Sequence, residues 1–266
     1  MTQTLTLYQV DAFADKVFQG NPAAVISLET WLNDELLQAI AAENNLSETA
    51  FFVQSQRLNT FHLRWFTPVH EAPLCGHATL ATAYVIFHHI HPRLDNVYFH
   101  TQSGSLSVHK QDNVLTLDFP RYALQPCEAP KALLEGLEHK PQHVFKTVED
   151  TNYYAIYSSE TEVRELKPNL EKLASLFPYG VVVTAAGDTC DFVSRYFAPG
   201  AGIPEDPVTG STHCGLIPYW AEKLNKTQLL AKQLSKRGGT LHCELLGDRV
   251  AIGGQAVQYL VGEITI

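Results

Sequence analysis

Glu48 stands in Asn45-Leu-Ser-Glu-Thr-Ala-Phe-Phe-Val53, where a carboxylate directly precedes an apolar run. Apolar surroundings disfavour the charged form, which suits a carboxyl group to proton transfer near neutral pH. His77, in Cys75-Gly-His-Ala-Thr-Leu-Ala81, can donate, accept or shuttle a proton. Cys75 falls just ahead of a helix start, a position that can lower a thiol pKa and make it a base or nucleophile. Asp206 sits between two prolines in Gly202-Ile-Pro-Glu-Asp-Pro-Val-Thr-Gly-Ser-Thr-His213, and a loop so restrained aims a side chain with little entropy left to lose. Plainer readings stand beside these: a turn carboxylate for Glu48, a turn residue for Asp206, a first-turn histidine satisfied within its own helix for His77.

The same neighbourhoods occur twice. Arg64-Trp-Phe-Thr-Pro68 leads into Cys75-Gly-His77, and Arg195-Tyr-Phe-Ala-Pro199 leads into Thr209-Gly-Ser211. The arginines are 131 apart (195 − 64) and the motif glycines 134 apart (210 − 76), close to half of 266 residues. At the first offset Ala24–Ile26 meets Ala155–Tyr157, and Phe51–Val53 meets Val182–Thr184. A repeat this long is no solenoid, whose periods run about 20–50 residues. It predicts two pseudo-equivalent lobes with a cleft between them, the kind of place where ligand sites collect. The chemistry differs between the copies: the offset puts Tyr179 opposite Glu48 and Thr209 opposite Cys75.

Gly76 and Gly210 are each expected to open a helix. A helix N-terminus presents unpaired N–H groups with partial positive charge, and glycine lets a ligand approach the backbone. As a repeated pair, the amides at Gly76, His77, Gly210 and Ser211 form a cradle for a carboxylate. Taken singly, each is an ordinary cap with glycine chosen for packing.

The elements that position these groups follow from pattern. Leu5–Val10 alternates like a strand, and Gly20-Asn-Pro22 reads as a turn. Asn33 or Asp34 can cap a helix carrying Leu36, Leu37, Ile40 and Ala41, which ends at Asn44-Asn45. Strands follow at 49–53 and 61–66. The helix from Gly76 is apolar nearly all round through Phe87, which marks it as buried. Strands at 106–108 and 114–117 close the lobe, and Pro120–Pro130 reads as the linker. The second half predicts strands at 153–157, 181–183 and 191–197, a helix near 170–176, and a central helix from Gly210 interrupted by Pro218. The opening strand has no evident counterpart in the second half, nor the closing run Val257–Ile266 in the first. The C-terminal strand is therefore expected to cross back. The predicted lobes are residues 1–120 with 256–266, and residues 121–255, with the active site in the cleft between them.

A net charge of −9 and a pI near 5.7 argue against a nucleic-acid or anionic-membrane partner, which would need a basic footprint. The N-terminus lacks signal-peptide features, and no apolar run reaches the roughly 18–20 residues that span a bilayer. The five cysteines are odd in number and scattered, so neither a disulfide framework nor a zinc ribbon is expected, and the cytoplasm is the expected compartment. His88-His-Ile-His91 has no acidic or cysteine partner spaced for a metal, and none is expected. No phosphate loop or dinucleotide fingerprint appears.

Five stretches carry a resemblance across nearly the whole chain: Val10–Phe13 with Gly20–Val25, Asn45–Phe51, Arg64–Pro68, Leu74–Ala81, and Arg195 through Cys214. The sequence resembles the PhzF-like isomerases related to phenazine biosynthesis and, more distantly, diaminopimelate epimerase. The resemblance implies an α+β fold of two pseudo-symmetric lobes, each a curved, mostly antiparallel sheet or barrel wrapped around a central helix. It implies a cofactor-free isomerase acting on a small unsaturated carboxylic acid, and it points to a homodimer. Glu48 would be the general acid/base, with His77 and Asp206 as further catalytic residues. Ser47, Gly76, His77, Gly210 and Ser211 would bind substrate. The epimerases carry cysteines ahead of both motif glycines; this chain has only Cys75, with Thr209 at the other position. A cysteine-dependent epimerase, racemase or dehydratase and a non-catalytic carboxylate-binding protein are the alternatives.

Overall fold

The computed structural model describes residues 2–147 and 149–266. The chain forms two compact units, Met1–Asp118 with Gly253–Ile266, and Phe119–Ile252.

The first unit opens with β1 (Thr4–Ala12), β2 (Asn21–Leu28), α1 (Asp34–Asn44), β3 (Glu48–Gln54) and β4 (Thr60–Phe66). Next come β5 (Glu71–Ala72), α2 (Gly76–Val85), β6 (Asn96–Thr101), β7 (Gly104–Gln111) and β8 (Val114–Pro120). Both ends of α1 are written locally. The Asn33 side chain accepts the Leu36 N–H at 2.8 Å, and Asp34 and Glu35 put negative charge at the positive end of the helix dipole. Asn45 turns left-handed at φ 48°, where asparagine is tolerated, and its N–H closes onto the Ala41 carbonyl. Leu37, Ile40 and Ala41 bury against Ile26, Phe51 and Phe66, each large side chain contributing roughly 1.5–3 kcal/mol. Helix α2 is buried on nearly every face, as its apolar composition requires, and continues as one π-helical turn, Ile86–Ile90. Its two threonines are satisfied within the helix: Thr79 donates to the Cys75 carbonyl at 2.6 Å and Thr82 to the Ala78 carbonyl at 2.7 Å.

Strands β1 and β2 pair antiparallel; β2 and β3 pair parallel across the α1 crossover; β4 pairs antiparallel with β3 and β5. Across the α2 crossover β4 and β6 are again parallel, and β6–β7–β8 form an antiparallel meander.

The second unit contains β9 (Gln125–Pro126), α3 (Lys131–Leu137), β10 (His143–Lys146), β11 (Asn152–Ile156), α4 (Glu160–Glu165) and α5 (Leu170–Ala174). It continues with β12 (Gly180–Ala186), β13 (Phe192–Ala198), β14 (Ile203–Asp206), α6 (His213–Leu224), β15 (Gln228–Gln233), β16 (Gly239–Leu246) and β17 (Arg249–Gly254). Its ladders come in the same order: β10–β11 antiparallel, β11–β12 parallel, β12–β13 and β13–β14 antiparallel, β13–β15 parallel, β15–β16 antiparallel. The opening strand therefore does have a topological counterpart, β10, which its short length and lack of alternation hide in the sequence. The closing strand β18 (Ala256–Thr265) pairs antiparallel with β1, as β9 pairs with β10. Leucines 133, 137, 166 and 173 from the α3–α5 region bury against Val181, Val183, Val193 and Phe197 of the sheet.

Three further expectations need correction. Arg64 lies opposite Phe51 and Arg195 opposite Val183, so the residue matching Glu48, three earlier, is Gly180 rather than Tyr179. In the parallel ladders Ile26 faces Phe51 and Ala155 faces Val183, so Ile26 matches Ala155 rather than Tyr157. Connections of different length break any constant sequence offset, and a strand's two-residue period makes a one-residue slip change faces. Thirdly, α6 begins at His213, not Gly210. Residues 210–212 form a tight turn in which His213, Cys214 and Gly215 N–H groups bond three residues back, at 3.0, 3.0 and 3.2 Å. Pro218 is accommodated within α6 because the Cys214 carbonyl it leaves unbonded accepts the Tyr122 N–H at 3.0 Å. No helix among the described residues is long and apolar enough to cross a membrane.

Candidate active site

Glu48 is the first residue of β3, delivered by the left-handed turn that ends α1. His77 is the second residue of α2, which packs on β2 and β3. The two meet with Glu48 Oε2 3.1 Å from His77 Nε2, their side chains 12% and 6% exposed. Neither atom makes a hydrogen bond of good geometry, so the contact is an ion pair with spare hydrogen-bonding capacity on both sides. Buried polar atoms in that condition are unusual and call for a functional explanation.

Two groups flank the other ring nitrogen. Asn21 Nδ2 lies 3.2 Å from His77 Nδ1, and Cys75 Sγ lies 3.5 Å from it. Burial opposes the imidazolium, but its interactions with Cys75 and Glu48 outweigh that cost and hold the His77 pKa well above the ordinary value. The Cys75 thiol moves the other way from the sequence expectation. Burial, reinforced by the Glu48 carboxylate, pushes it up to about 11. The helix start that was expected to lower it is outweighed by complete desolvation.

Glu48, Cys75 and His77 bring a carboxylate, a thiol and an imidazole within 4.8 Å of one another, a metal-like donor set. Their arrangement does not suit an ion. Cys75 and Glu48 approach opposite nitrogens of one ring, so the ring stands between them, and a metal needs thiol and imidazole deprotonated where these groups keep their protons. His88, His89 and His91 are spent on separate acceptors, Tyr84, Gln258 and Gln54, at 2.8, 2.6 and 3.2 Å.

Among the remaining expected residues, Ser47 is half-buried beside Glu48, and Gly76 is the buried first residue of α2, whose start has no side-chain cap. Asp206, Gly210 and Ser211 belong to the second unit. Asp206 is buried at the end of β14 and accepts the Thr209 hydroxyl on Oδ2. Gly210 is buried and Ser211 half-buried in the turn ahead of α6. The repeated arginines are structural: Arg64 forks onto Glu71 at 2.7 and 2.8 Å over the Phe66 ring, and Arg195 forks onto Glu205 at 2.7 and 3.1 Å over Phe197.

Sequence reasoning missed Asn21, which lies against His77, and Gln233, which donates to the Thr209 hydroxyl beside Asp206 at 3.1 Å. Asn21 had a signal: a polar residue at the head of the apolar run Ala23–Ile26, the same pattern that marked Glu48. Gly20 before it adopts φ +64°, and a Cβ there would stand 2.1 Å from the Ala12 carbonyl oxygen, so the turn that sets Asn21 needs glycine. Gln233, at the end of an exposed-looking strand, offered none.

A family model described as phenazine biosynthesis-like protein (PhzC-PhzF) matches residues 10–262. An uncharacterized isomerase of Pseudomonas aeruginosa is 49% identical over 260 residues, covering 98% of each chain. A crystal structure of a PhzF-family phenazine biosynthesis protein from Enterococcus faecalis superposes with a TM-score of 0.94 at 44% identity, over 98% of this chain and 99% of that one. A hydroxyproline epimerase from Agrobacterium vitis shares the fold alone, with a TM-score of 0.67 at 9% identity over 99% and 93% of the two chains. The fold is the α+β architecture common to these isomerases and epimerases. The chain belongs to the phenazine biosynthesis-like PhzC/PhzF family and is an isomerase.

Proposed function

We propose that this isomerase moves a proton, and with it a double bond, along a small unsaturated carboxylic acid, without a cofactor, using Glu48 as general acid/base. The observation that carries the reading is the Glu48–His77 contact: a carboxylate and an imidazole 3.1 Å apart in a buried setting, both contacting atoms still able to bond a substrate. Glu48 would take a proton from carbon as the electron pair moves into a new double bond, then return it to a carbon farther along the chain on the same face. His77, held toward its charged form, would stabilise the negative charge that develops, and such electrostatic stabilisation dominates the rate enhancement of many enzymes. The amides of Gly76 and His77 would hold the substrate carboxylate, with Ser47 beside Glu48. Asp206 would be a further catalytic residue, and Gly210 and Ser211 further substrate-binding residues. The shared order of ladders also supports descent of the two units from one duplicated ancestor.

The test is a small-molecule extract incubated in heavy water with the wild type and with Glu48→Gln. Carbon-bound deuterium appearing in one compound with the wild type alone supports the reading and identifies the substrate. Wild-type deuterium uptake by Glu48→Gln would sink it. Because burial keeps Cys75 a thiol, Cys75→Ser should retain uptake within about tenfold, whereas a cysteine base would make it inert.

A further inference from the structure

We infer that Gln233 and Thr209 form a one-directional hydrogen-bond clamp that fixes the Asp206 carboxylate as an acceptor, which makes both of them positioning residues for the proposed reaction. The inference rests on the reading of Asp206 as catalytic. Every donor and acceptor in the chain of bonds is determined. Gln233 Oε1 accepts the Thr209 backbone N–H at 2.9 Å, and a backbone N–H can only donate. Gln233 Nε2 donates to the Asp206 backbone carbonyl at 2.9 Å, and a carbonyl can only accept. These two bonds leave one orientation of the amide. Nε2 also donates to Thr209 Oγ1 at 3.1 Å, so the threonine hydroxyl, already an acceptor, turns its own proton onto Asp206 Oδ2. One carboxylate oxygen is thereby occupied by a donor.

The clamp is built deep in the second unit. Gln233 is 1% exposed, Asp206 8% and Thr209 9%. Gln233 is placed by the parallel β13–β15 ladder, where it faces Ser194. The flanking loop is tied down separately, with Ser235 donating to the Pro207 carbonyl at 2.7 Å and accepting the Gly238 N–H at 3.0 Å. These four assigned bonds orient the Thr209 hydroxyl toward Asp206 Oδ2, so the carboxylate arrives at the reaction with that oxygen already held.

The test uses full-length protein in five forms: wild type, Thr209→Ser, Thr209→Val, Gln233→Leu and Asp206→Asn. The first measurement is NMR hydrogen exchange of the Gln233 side-chain amide, which needs no substrate. Wild type and Thr209→Ser should exchange at least about tenfold more slowly than an exposed glutamine, as a buried, doubly donating amide must. Free-glutamine exchange in the wild type overturns the clamp. The second is deuterium uptake from the extract in heavy water. Thr209→Val and Gln233→Leu should slow it about 10- to 100-fold, the rate equivalent of one hydrogen bond to a charged group. Thr209→Ser, which keeps the hydroxyl, should stay within about threefold. Crystal structures of folded variants should show the Asp206 carboxylate turned in Thr209→Val and unmoved in Thr209→Ser. Full uptake by Asp206→Asn would remove the catalytic reading of Asp206 whatever the clamp does. Impaired Asp206→Asn beside unimpaired Thr209→Val and Gln233→Leu would overturn the clamp alone.

Discussion

Two buried histidines stand at the starts of the two central helices, and their surroundings drive them to opposite charge states. His77 of α2 faces the Glu48 carboxylate at 3.1 Å, and its pKa lies well above the ordinary value. His213 of α6 donates from Nδ1 to the Thr209 carbonyl at 2.8 Å and lies 5.8 Å from the Phe192 ring. Burial lowers its pKa to about 4, so it is neutral at physiological pH. The strands repeat this contrast. Where the first unit has Glu48, the second has Gly180, and a Cβ there would come within 2.3 Å of the Tyr196 hydroxyl. The two units share a scaffold, but only the first carries an acid–imidazole pair at this position. In the second the matching space is filled by the Tyr196 hydroxyl and the Asn152 side chain. A common fold thus supplies two central helices, while single neighbours decide whether the first turn of each carries charge.

The largest expected effect comes from forcing the second unit to resemble the first. Gly180→Glu would drive a side chain into Tyr196 and bury an unpaired carboxylate. It should cost about 3 kcal/mol or more in denaturant unfolding, and an unchanged midpoint would break the register on which the comparison rests.

The histidines give the next effect, with opposite signs. His213 has a folded pKa below its unfolded value, so the unfolded chain binds its proton first as pH falls. Stability should decline between about pH 6.5 and 4, by on the order of 3 kcal/mol, and His213→Asn should flatten that decline. His77 has a folded pKa above its unfolded value. Its contribution is complete below about pH 6.5 and disappears as pH rises through the folded pKa, so His77→Gln should lose more stability at pH 6 than at alkaline pH. Equal pH responses in the two variants would erase the contrast.

The arginines give the smallest effect. Arg195 bonds Glu205 and also donates to the carbonyls of Val163 and Leu166 at 3.1 and 2.8 Å, with its side chain 11% exposed. Arg64 bonds Glu71 and the exposed Asp34, with its side chain 20% exposed. Arg195→Met should cost about 2–3 kcal/mol, Arg64→Met about 1 kcal/mol, and the reverse order would contradict the assigned burial.

Much of this was legible in the residues. The α1 caps, the buried α2 and Glu48 at the head of an apolar strand follow from local chemistry, which one segment carries by itself. The duplicated motifs were visible for the same reason. What escaped depends on partners distant in sequence. The match of Glu48 with Gly180 is set by ladders across connections of unequal length. The late start of α6 is decided by a turn whose bonds leave no composition signal. The Cys75 pKa follows from burial, which overrode the expectation from its helix-start position. Gln233 looks like any polar residue on a partly exposed strand until β13 is placed beside it.

One comparison of rates bears most directly on Glu48 as the acid/base: deuterium uptake at substrate carbon by the wild type, Glu48→Gln and Cys75→Ser at one pH. Glu48→Gln should fall by about 10²- to 10⁴-fold, the usual worth of a positioned acid/base, while remaining folded, and Cys75→Ser should stay close to the wild type. Undiminished uptake by Glu48→Gln, or a collapse confined to Cys75→Ser, would contradict that role.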